Sequence, residues 1–332
     1  MKLIVTGGYG FIGSNFILYW LKKHRKDEII NVDKLTYAAD PDNLKDLSQN
    51  AKYTFINGDI ADKEFVERTF KDANAIINFA AESHVDNSIK NSSLFISSNI
   101  VGVHNILETV RKTGIRFHQI STDEVYGSLP LNSKEKFNEN SKYNPRNPYS
   151  ATKAAADFLV RAYYNTYKLP ITISNCSNNY GINQHPEKLI PKTILNAYLD
   201  ESIPVYGNGK QIRDWIFVED HCSAIESIIQ KGVYGETYLI GENGEKRNID
   251  VIRTILKTMK KPDSLIKFVD DRPGHDVRYS IDSRKIQKEL KWKPKFSFEK
   301  GIKITIEHYL KNKESLQRTA LIIYSKDSRL YL

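Results

Sequence analysis

Two short stretches carry the side chains best suited to chemistry. In Ser121-Thr122-Asp123-Glu124-Val125-Tyr126-Gly127, two carboxylates stand side by side just after a hydroxyl residue. Adjacent acids repel and are easier to solvate on an open loop, yet the run 117–120 before them reads as a strand. In Tyr149-Ser150-Ala151-Thr152-Lys153, a phenol and an ammonium lie four residues apart at the start of a helical run, 149–167. Residues at that spacing share a helix face, so the ammonium is expected close to the phenol. A phenol with its usual pKa of ~10 is a poor base at neutral pH, and a nearby cation favours the phenolate. Thr122 offers a hydroxyl from the preceding strand end, and Pro148 marks the helix start. Hydroxyl, tyrosine and lysine together suit the oxidation of an alcohol.

Such an oxidation needs a hydride acceptor, and the N-terminus supplies a place for one. Thr6-Gly7-Gly8-Tyr9-Gly10-Phe11-Ile12-Gly13-Ser14 follows a short apolar strand and opens a helix. A side chain at Gly7 would obstruct the turn, one at Gly10 would block a diphosphate, and one at Gly13 would push the helix off the sheet. The helix N-terminus offers free N–H groups to that diphosphate. Asp33 stands ~20 residues on, at the end of the second strand, where a carboxylate accepts both ribose hydroxyls and repels a 2′-phosphate. That favours NAD over NADP. Asp59 and Ile60 follow the third strand, where an adenine can lie, and Ala80-Ala81-Glu82-Ser83-His84 follows the fourth with small residues that let a cofactor pass. Lys153 can also hold the nicotinamide ribose.

The elements that must position these groups alternate in type. Residues 3–6, 29–32, 53–56, 75–79, 117–120 and 171–174 read as strands, and 12–22, 63–70, 94–112 and 149–167 as helices. In 94–112, Phe95, Ile96, Val103, Ile106, Leu107 and Val110 form a helical stripe. This alternation implies an α/β, doubly wound parallel sheet of the Rossmann type. After Gly181 the pattern changes: Pro186, Pro191 and Pro204 punctuate it, Gly207-Asn208-Gly209 marks a turn, and residues 214–218 and 237–240 read as strands again. A smaller second domain interleaved with the first fits this order. The expected division is 1–181 plus about 212–241 for the cofactor, 182–211 and 242–314 for the substrate, and 315–332 unassigned.

Length and composition agree with a large folded enzyme: 332 residues, 40% hydrophobic and 27% charged. No apolar run reaches the ~18 residues of a membrane span, and no signal peptide is expected at the N-terminus. Cys176 and Cys222 are far apart without metal-type spacing, so no metal and a reduced, cytoplasmic setting are expected. The net charge of +9 is scattered, which argues against a nucleic-acid surface.

The order TGGYGFIG, Asp33, AAESHVD, STDEVYG and YSATK resembles the extended short-chain dehydrogenase/reductase family, and within it the nucleotide-sugar dehydratases. The likeness runs from residue 1 to about residue 312. It implies a Rossmann domain with a smaller nucleotide-sugar domain, and dehydration of a thymidine-diphosphate-linked glucose to its 4-keto-6-deoxy product. Once C4 is a ketone the C5 proton becomes acidic; a base must take it, and an acid must protonate the C6 hydroxyl so that it leaves as water. Mutual repulsion and burial would keep one of two adjacent carboxyls protonated. The resemblance makes Asp123 that acid, Glu124 the base, and Thr122 the contact to the C4 hydroxyl.

By the same resemblance Phe11, Ile12, Lys34, Leu35, Thr36, Ser98 and Asn179 accompany the cofactor, and His84 and Asn178 face the substrate. Glu187, Lys188 and Leu189 of PEKLIP line the nucleotide site, with Pro204 and Tyr206 flanking the base. Arg213 suits the diphosphate, and Asn248, Arg272 and His275 complete the phosphate and ribose contacts. Asn248 could instead cap a helix, and the two arginines could be surface pairs. The resemblance also implies a homodimer built on helices 94–112 and 149–167, where Ala154, Ala155, Phe158, Leu159 and Ala162 add apolar surface. Two departures stand out. Ile182-Asn183-Gln184 replaces a segment that in the family often begins with proline, and the sequence beyond about Lys313, including the apolar run 320–324, matches nothing familiar. The rival readings are a 4-epimerase or a dehydratase of another nucleotide sugar such as UDP-glucose. A non-catalytic NAD-binding regulator is the remaining rival, and it should have lost Thr122, Tyr149 or Lys153.

Overall fold

The computed structural model describes residues 1–271, 275–312 and 316; Arg272 and the run 320–324 lie outside the described residues. The strands, in chain order, are β1 (Lys2–Thr6), β2 (Glu28–Asp33), β3 (Tyr53–Asn57), β4 (Ala75–Asn78), β5 (Arg116–Thr122) and β6 (Ile171–Cys176). There follow β7 (Asn178–Tyr180), β8 (Ile203–Tyr206), β9 (Ile212–Phe217), β10 (Thr237–Ile240), β11 (Glu245–Arg247) and β12 (Ile266–Val269). Seven of them form one parallel sheet in the order β10-β6-β5-β4-β1-β2-β3. The winding direction reverses between β1 and β4, which opens a crevice at the carboxyl ends of those strands.

A parallel sheet is covered on both faces, so its strands are apolar on both sides. Ile4, Ile76 and Phe117 meet Phe65, Val66, Ile106, Val110, Ala156 and Val160 from helices Lys63–Phe70, Gly102–Thr113 and Pro148–Tyr167. Leu3, Val5 and Ile77 point the other way, against Phe16, Trp20 and Ile225 from helices Phe11–Lys23 and Val218–Lys231. Helix Pro148–Tyr167 begins on a capping box between Asn147 and Ser150 with proline at its first turn. That fixes the start of the helix carrying Tyr149 and Lys153.

The expected helix 94–112 is interrupted. It runs as Ser93–Ile96, a π-helical turn Ser97–Val101, and Gly102–Thr113. At this turn Asn99 faces inward, its side-chain amide donating to Thr152 Oγ1 at 2.9 Å and Glu82 O at 3.1 Å while its side-chain carbonyl accepts from Glu82 N at 2.9 Å. Such bulges cluster at functional sites. The apolar stripe also divides: Phe95, Val103, Ile106, Leu107 and Val110 are buried in this chain's own core, whereas Ile96 is exposed.

Beyond the large sheet, β7, β9 and β11 form a three-stranded sheet and β8 pairs with β12. A third apolar cluster joins Tyr180, Ile194, Trp215, Val251 and Ile302 beneath helices Leu189–Tyr198, Asn248–Met259 and Phe298–Lys311. No helix among the described residues is long and apolar enough to cross a membrane.

Candidate active site

The crevice at the strand ends is a single long cleft. It is lined by Gly7, Gly10, Phe11, Ile12, Gly13, Asp33, Lys34, Thr36, Asp59, Ile60, Ala80, Ala81, Ser83 and Ser98 from the expected cofactor set. Further along come Thr122, Asp123, Glu124, Tyr149, Lys153, Asn178, Asn179, Glu187 and Lys188. Residues spread over 180 positions of sequence therefore share one wall because the sheet brings its strand ends together.

The glycines fit a diphosphate. Gly7 has φ +69°, and a Cβ there would stand 2.7 Å from Ala80 N. A Cβ on Gly13 would collide with the Gly7 carbonyl, so its crowding is against the turn itself rather than against a strand. Gly10 differs, since its nearest neighbour would be Gly7 O at 3.2 Å, which leaves the space above it for a ligand. Gly8, not singled out from sequence, packs where a Cβ would strike Asn31 and Ile17. Asp33 is held by Tyr9 N at 3.0 Å and Leu35 N at 2.8 Å, and burial raises its pKa against those bonds. Leu35 itself is exposed and does not line the cleft; its contribution is that N–H. Lys34 pairs with Asp59 at 3.0 Å.

At the catalytic end, Thr122 ends β5 and caps the 3-10 turn Asp123–Tyr126, accepting from Glu124 N at 3.3 Å. Asp123 is 2% exposed; its Oδ1 accepts from Thr122 Oγ1 at 3.3 Å, and its Oδ2 has no hydrogen-bond partner among the described residues. Burial first, then the charges of Glu124 and Asp214, push its pKa well above the carboxylate range. That direction favours the protonated form. Glu124 is less buried and receives a long 3.5 Å contact from Asn147 Nδ2.

One expectation needs correction. The Lys153 ammonium donates to the carbonyl of Ile120 at 2.6 Å, and the Tyr149 phenol, hydrogen-bonded with Thr122, has a raised rather than lowered pKa. Burial is the main cause, followed by the negative charge of Glu124. The i,i+4 spacing puts Tyr149 and Lys153 on one face, but the strand-end carbonyl competes for the cation.

Several expected substrate residues do not line this cleft: His84, Leu189, Pro204, Tyr206, Arg213, Asn248 and His275. His84 caps helix Val85–Lys90 and sits 3.8 Å from Glu187, and Leu189 opens helix Leu189–Tyr198 and packs against the third apolar cluster. Arg213 is no surface pair: it is buried, donates to the carbonyls of Ile212 and Asp276 at 2.8 Å each, and lies 4.3 Å over the Tyr279 ring. The remainder gather elsewhere. Tyr206 meets His275 edge-on at 6.3 Å, His275 bonds Asp271 at 2.6 Å, and Gln211 reaches both Asp271 at 3.0 Å and His275 at 3.3 Å. Asn248 N donates to Gln211 O at 2.9 Å, while Asn248 Oδ1 and Gln211 Oε1 are buried without partners among the described residues. Asn248 is the first residue of its helix and makes no side-chain cap.

Sequence reading missed other contributors. Ser177, Gln184 and His185 line the cleft, and His221 orients Asn179 through a 2.9 Å bond. The segment beginning at Ile182 is pinned to the cofactor side by Asn15 Nδ2 to Ile182 O at 2.9 Å and by Asn183 Nδ2 to Ser14 Oγ at 3.3 Å. These are contacts between distant segments, for which a motif gives no signal.

A doubly wound dinucleotide sheet with hydroxyl, tyrosine and lysine at its carboxyl edge defines an NAD-dependent enzyme of the short-chain dehydrogenase/reductase type. The chain belongs to the GDP-mannose 4,6 dehydratase family, whose model matches residues 4–305. It is 47% identical to a dTDP-glucose 4,6-dehydratase of Escherichia coli, with 96% of each chain covered, and 46% identical to that of Mycobacterium tuberculosis H37Rv, with 94% of each covered. Among solved structures it is similar to a dTDP-glucose 4,6-dehydratase from Bacillus anthracis in complex with NAD, with TM-score 0.90, 43% identity, and 96% of this chain and 99% of that one covered. The Streptomyces venezuelae enzyme with NAD and TYD bound gives TM-score 0.93 and 39% identity, covering 96% and 100%. A UDP-glucose 4-epimerase from Thermus thermophilus shares the fold at 26% identity and TM-score 0.85, covering 93% and 99%.

Proposed function

We propose that this chain converts dTDP-glucose to dTDP-4-keto-6-deoxyglucose by oxidation at C4, loss of water across C5 and C6, and reduction at C6. The observation that carries the reading is the carboxyl pair beside the Thr122 and Tyr149 hydroxyls in one cleft, with burial raising the pKa of Asp123. Alcohol oxidation, and hence 4-epimerisation, needs only Thr122, Tyr149 and Lys153; elimination of water needs an acid and a base as well.

When bound, NAD would supply the hydride acceptor for oxidation at C4 and the donor for reduction at C6. The Gly7–Gly13 turn and the helix N-terminus at Phe11 and Ile12 hold its diphosphate, Asp33 its adenosine ribose, and Lys153 its nicotinamide ribose. Thr122 hydrogen-bonds the C4 hydroxyl and Tyr149 takes its proton. Burial opposes the phenolate, and Lys153, one turn along the same helix, is the cation we assign to offset it. Glu124 removes the C5 proton, and Asp123 protonates the C6 hydroxyl. Asn178, Glu187 and Lys188 contact the nucleotide sugar inside the cleft. The cluster of Tyr206, Gln211, Asn248 and His275 receives the base and ribose, with Arg213 and Arg272 serving the diphosphate.

We further read 1–181 with about 212–241 as the cofactor unit, 182–211 with 242–314 as the substrate unit, and the active species as a cytoplasmic homodimer. The exposed apolar side chains Leu94, Ile96, Val101 and Phe158 support the dimer, since they come from the expected pair of helices. Ala154 and Leu159 instead pack inward, so Phe158 and Ala162 carry that face of the second helix. The test of function is direct: purified protein incubated with dTDP-glucose should give a product lighter by one water. An isomer of unchanged mass would replace this reading with epimerisation.

A further inference from the structure

We propose that Asp157 is a positioning residue of the hydride-transfer site: it keeps Lys153 an ammonium and ties the Tyr149–Lys153 helix to the strand end carrying Thr122. The inference rests on the dehydratase reading above. Tyr149, Lys153 and Asp157 recur every fourth residue along Pro148–Tyr167 and therefore share a face. Asp157 is wholly buried, and three donors converge on its Oδ2: Ser121 Oγ at 2.7 Å, Tyr143 OH at 2.9 Å and Asn175 Nδ2 at 3.2 Å. Its Oδ1 has no hydrogen-bond partner among the described residues. A buried carboxylate is costly unless it is paired, and the helix does not need one there.

The contacts explain what it is for. Three consecutive residues at the end of β5 are stitched to this helix and its neighbour strand. Ile120 O accepts from Lys153 at 2.6 Å, Ser121 Oγ donates to Asp157, and Thr122 O accepts from Asn175 Nδ2 at 3.1 Å. The Asn175 amide thus holds Asp157 and Thr122 together. Asp157 touches neither cofactor nor substrate, and it fixes two groups that do.

Charge acts in the same direction. Burial lowers the Lys153 pKa, and Asp157 is the foremost influence raising it, followed by Cys176 on β6. Burial raises Asp157, and Lys153, then Ser121, Tyr143 and Arg161, lower it again. Tyr126, from the turn after β5, also senses the Asp157 charge, while Glu124 and Asp123 from that turn act on Tyr149. Without Asp157 the lysine keeps its desolvation and loses the foremost charge that offsets it.

Asp157→Asn removes the charge and keeps the shape. The expected result is a fall in kcat with little change in KM for dTDP-glucose, and an alkaline limb of the kcat profile displaced to lower pH. The loss at about pH 8.5 should exceed that at about pH 6 by roughly tenfold, the factor that one unit of displacement gives. NAD affinity of the cofactor-free protein, titrated by calorimetry, should weaken with pH over the same range. Asp157→Glu, which retains the charge, should return the alkaline limb toward the wild type. Tyr143→Phe, which removes one donor and no charge, should lower Tm and leave that limb in place. If Asp157→Asn does not fold, Asp157→Ser, which leaves room for a water, carries the same expectation. A variant with the wild-type pH profile and NAD affinity and only a lower Tm would overturn the proposal. Wild-type protein that fails to turn over dTDP-glucose would overturn the dehydratase reading instead, and the NAD titrations would still decide the role of Asp157.

Discussion

In the proposed mechanism Asp123 and Glu124 act on adjacent carbons, and their separate tasks can be told apart. Asp123 matters because hydroxide leaves C6 poorly, whereas Glu124 is needed whatever leaves. Asp123→Asn and Glu124→Gln should each lose about 10²–10⁴-fold with dTDP-glucose. With fluoride in place of the C6 hydroxyl, fluoride release should recover in Asp123→Asn and stay slow in Glu124→Gln; recovery of the glutamate variant alone would reverse the roles. The same carboxyl is a cost to the fold. Its raised pKa means that the native state binds a proton more tightly than the unfolded chain does. Its stabilising contribution is therefore complete below the unfolded value of ~3.9 and is lost as pH rises through the folded one. Asp123→Asn should raise Tm at about pH 8, with the gain closing as pH falls toward about 4. An equal gain at both pH values would show that the carboxyl is not the source. Their position at the end of a strand was legible in sequence because the motif is contiguous. The raised pKa of the Tyr149 phenol was not legible, because its leading causes, burial and the Glu124 charge, arise only in the folded chain.

At the scale of elements, the glycine turn gives a sharp contrast. Gly10 has ordinary extended angles, φ −73° and ψ 173°, and a Cβ there would meet only Gly7 O at 3.2 Å, a tight contact that a small shift relieves, so Gly10→Ala should fold with stability within about 1 kcal/mol of wild type yet bind NAD far more weakly. Gly13→Ala drives a methyl into the Gly7 carbonyl and should lose roughly 1–3 kcal/mol in denaturant unfolding as well as NAD. If Gly10→Ala binds NAD normally, the diphosphate does not pass over this turn. The dinucleotide half was legible because each strand, turn and helix there is a local pattern with a fixed order. The π-helical turn at Ser97–Val101 was not, since the apolar period of 94–112 continues through it and only the partners of Asn99, at Glu82 and Thr152, reveal the break. The cluster around Gln211 was half legible: Tyr206, Asn248 and His275 came by resemblance, and Gln211, which joins them, has no motif of its own.

For the whole molecule, the apolar side chains left outside predict the assembly. Leu94, Ile96, Val101 and Phe158 are each more than a third exposed and lie on helices beside the catalytic one or on it. Light scattering should report a dimer at micromolar concentration and Phe158→Asp a monomer; a wild-type monomer would refute the dimer. The large sheet has a second consequence, because it brings Thr122, Asp123, Glu124, Tyr149 and Lys153 into one cleft, where the proposed acid, base and hydride site would share a single sugar. Oxidation, elimination and reduction must then occur in one visit, with the same hydride leaving C4 and returning to C6. The decisive measurement is therefore turnover of dTDP-glucose carrying deuterium at C4, followed by mass and NMR analysis of the product. The account predicts a product that has lost one water and carries the deuterium at C6, transferred within one molecule. A product without that label, or with unchanged mass and inverted C4, would contradict it.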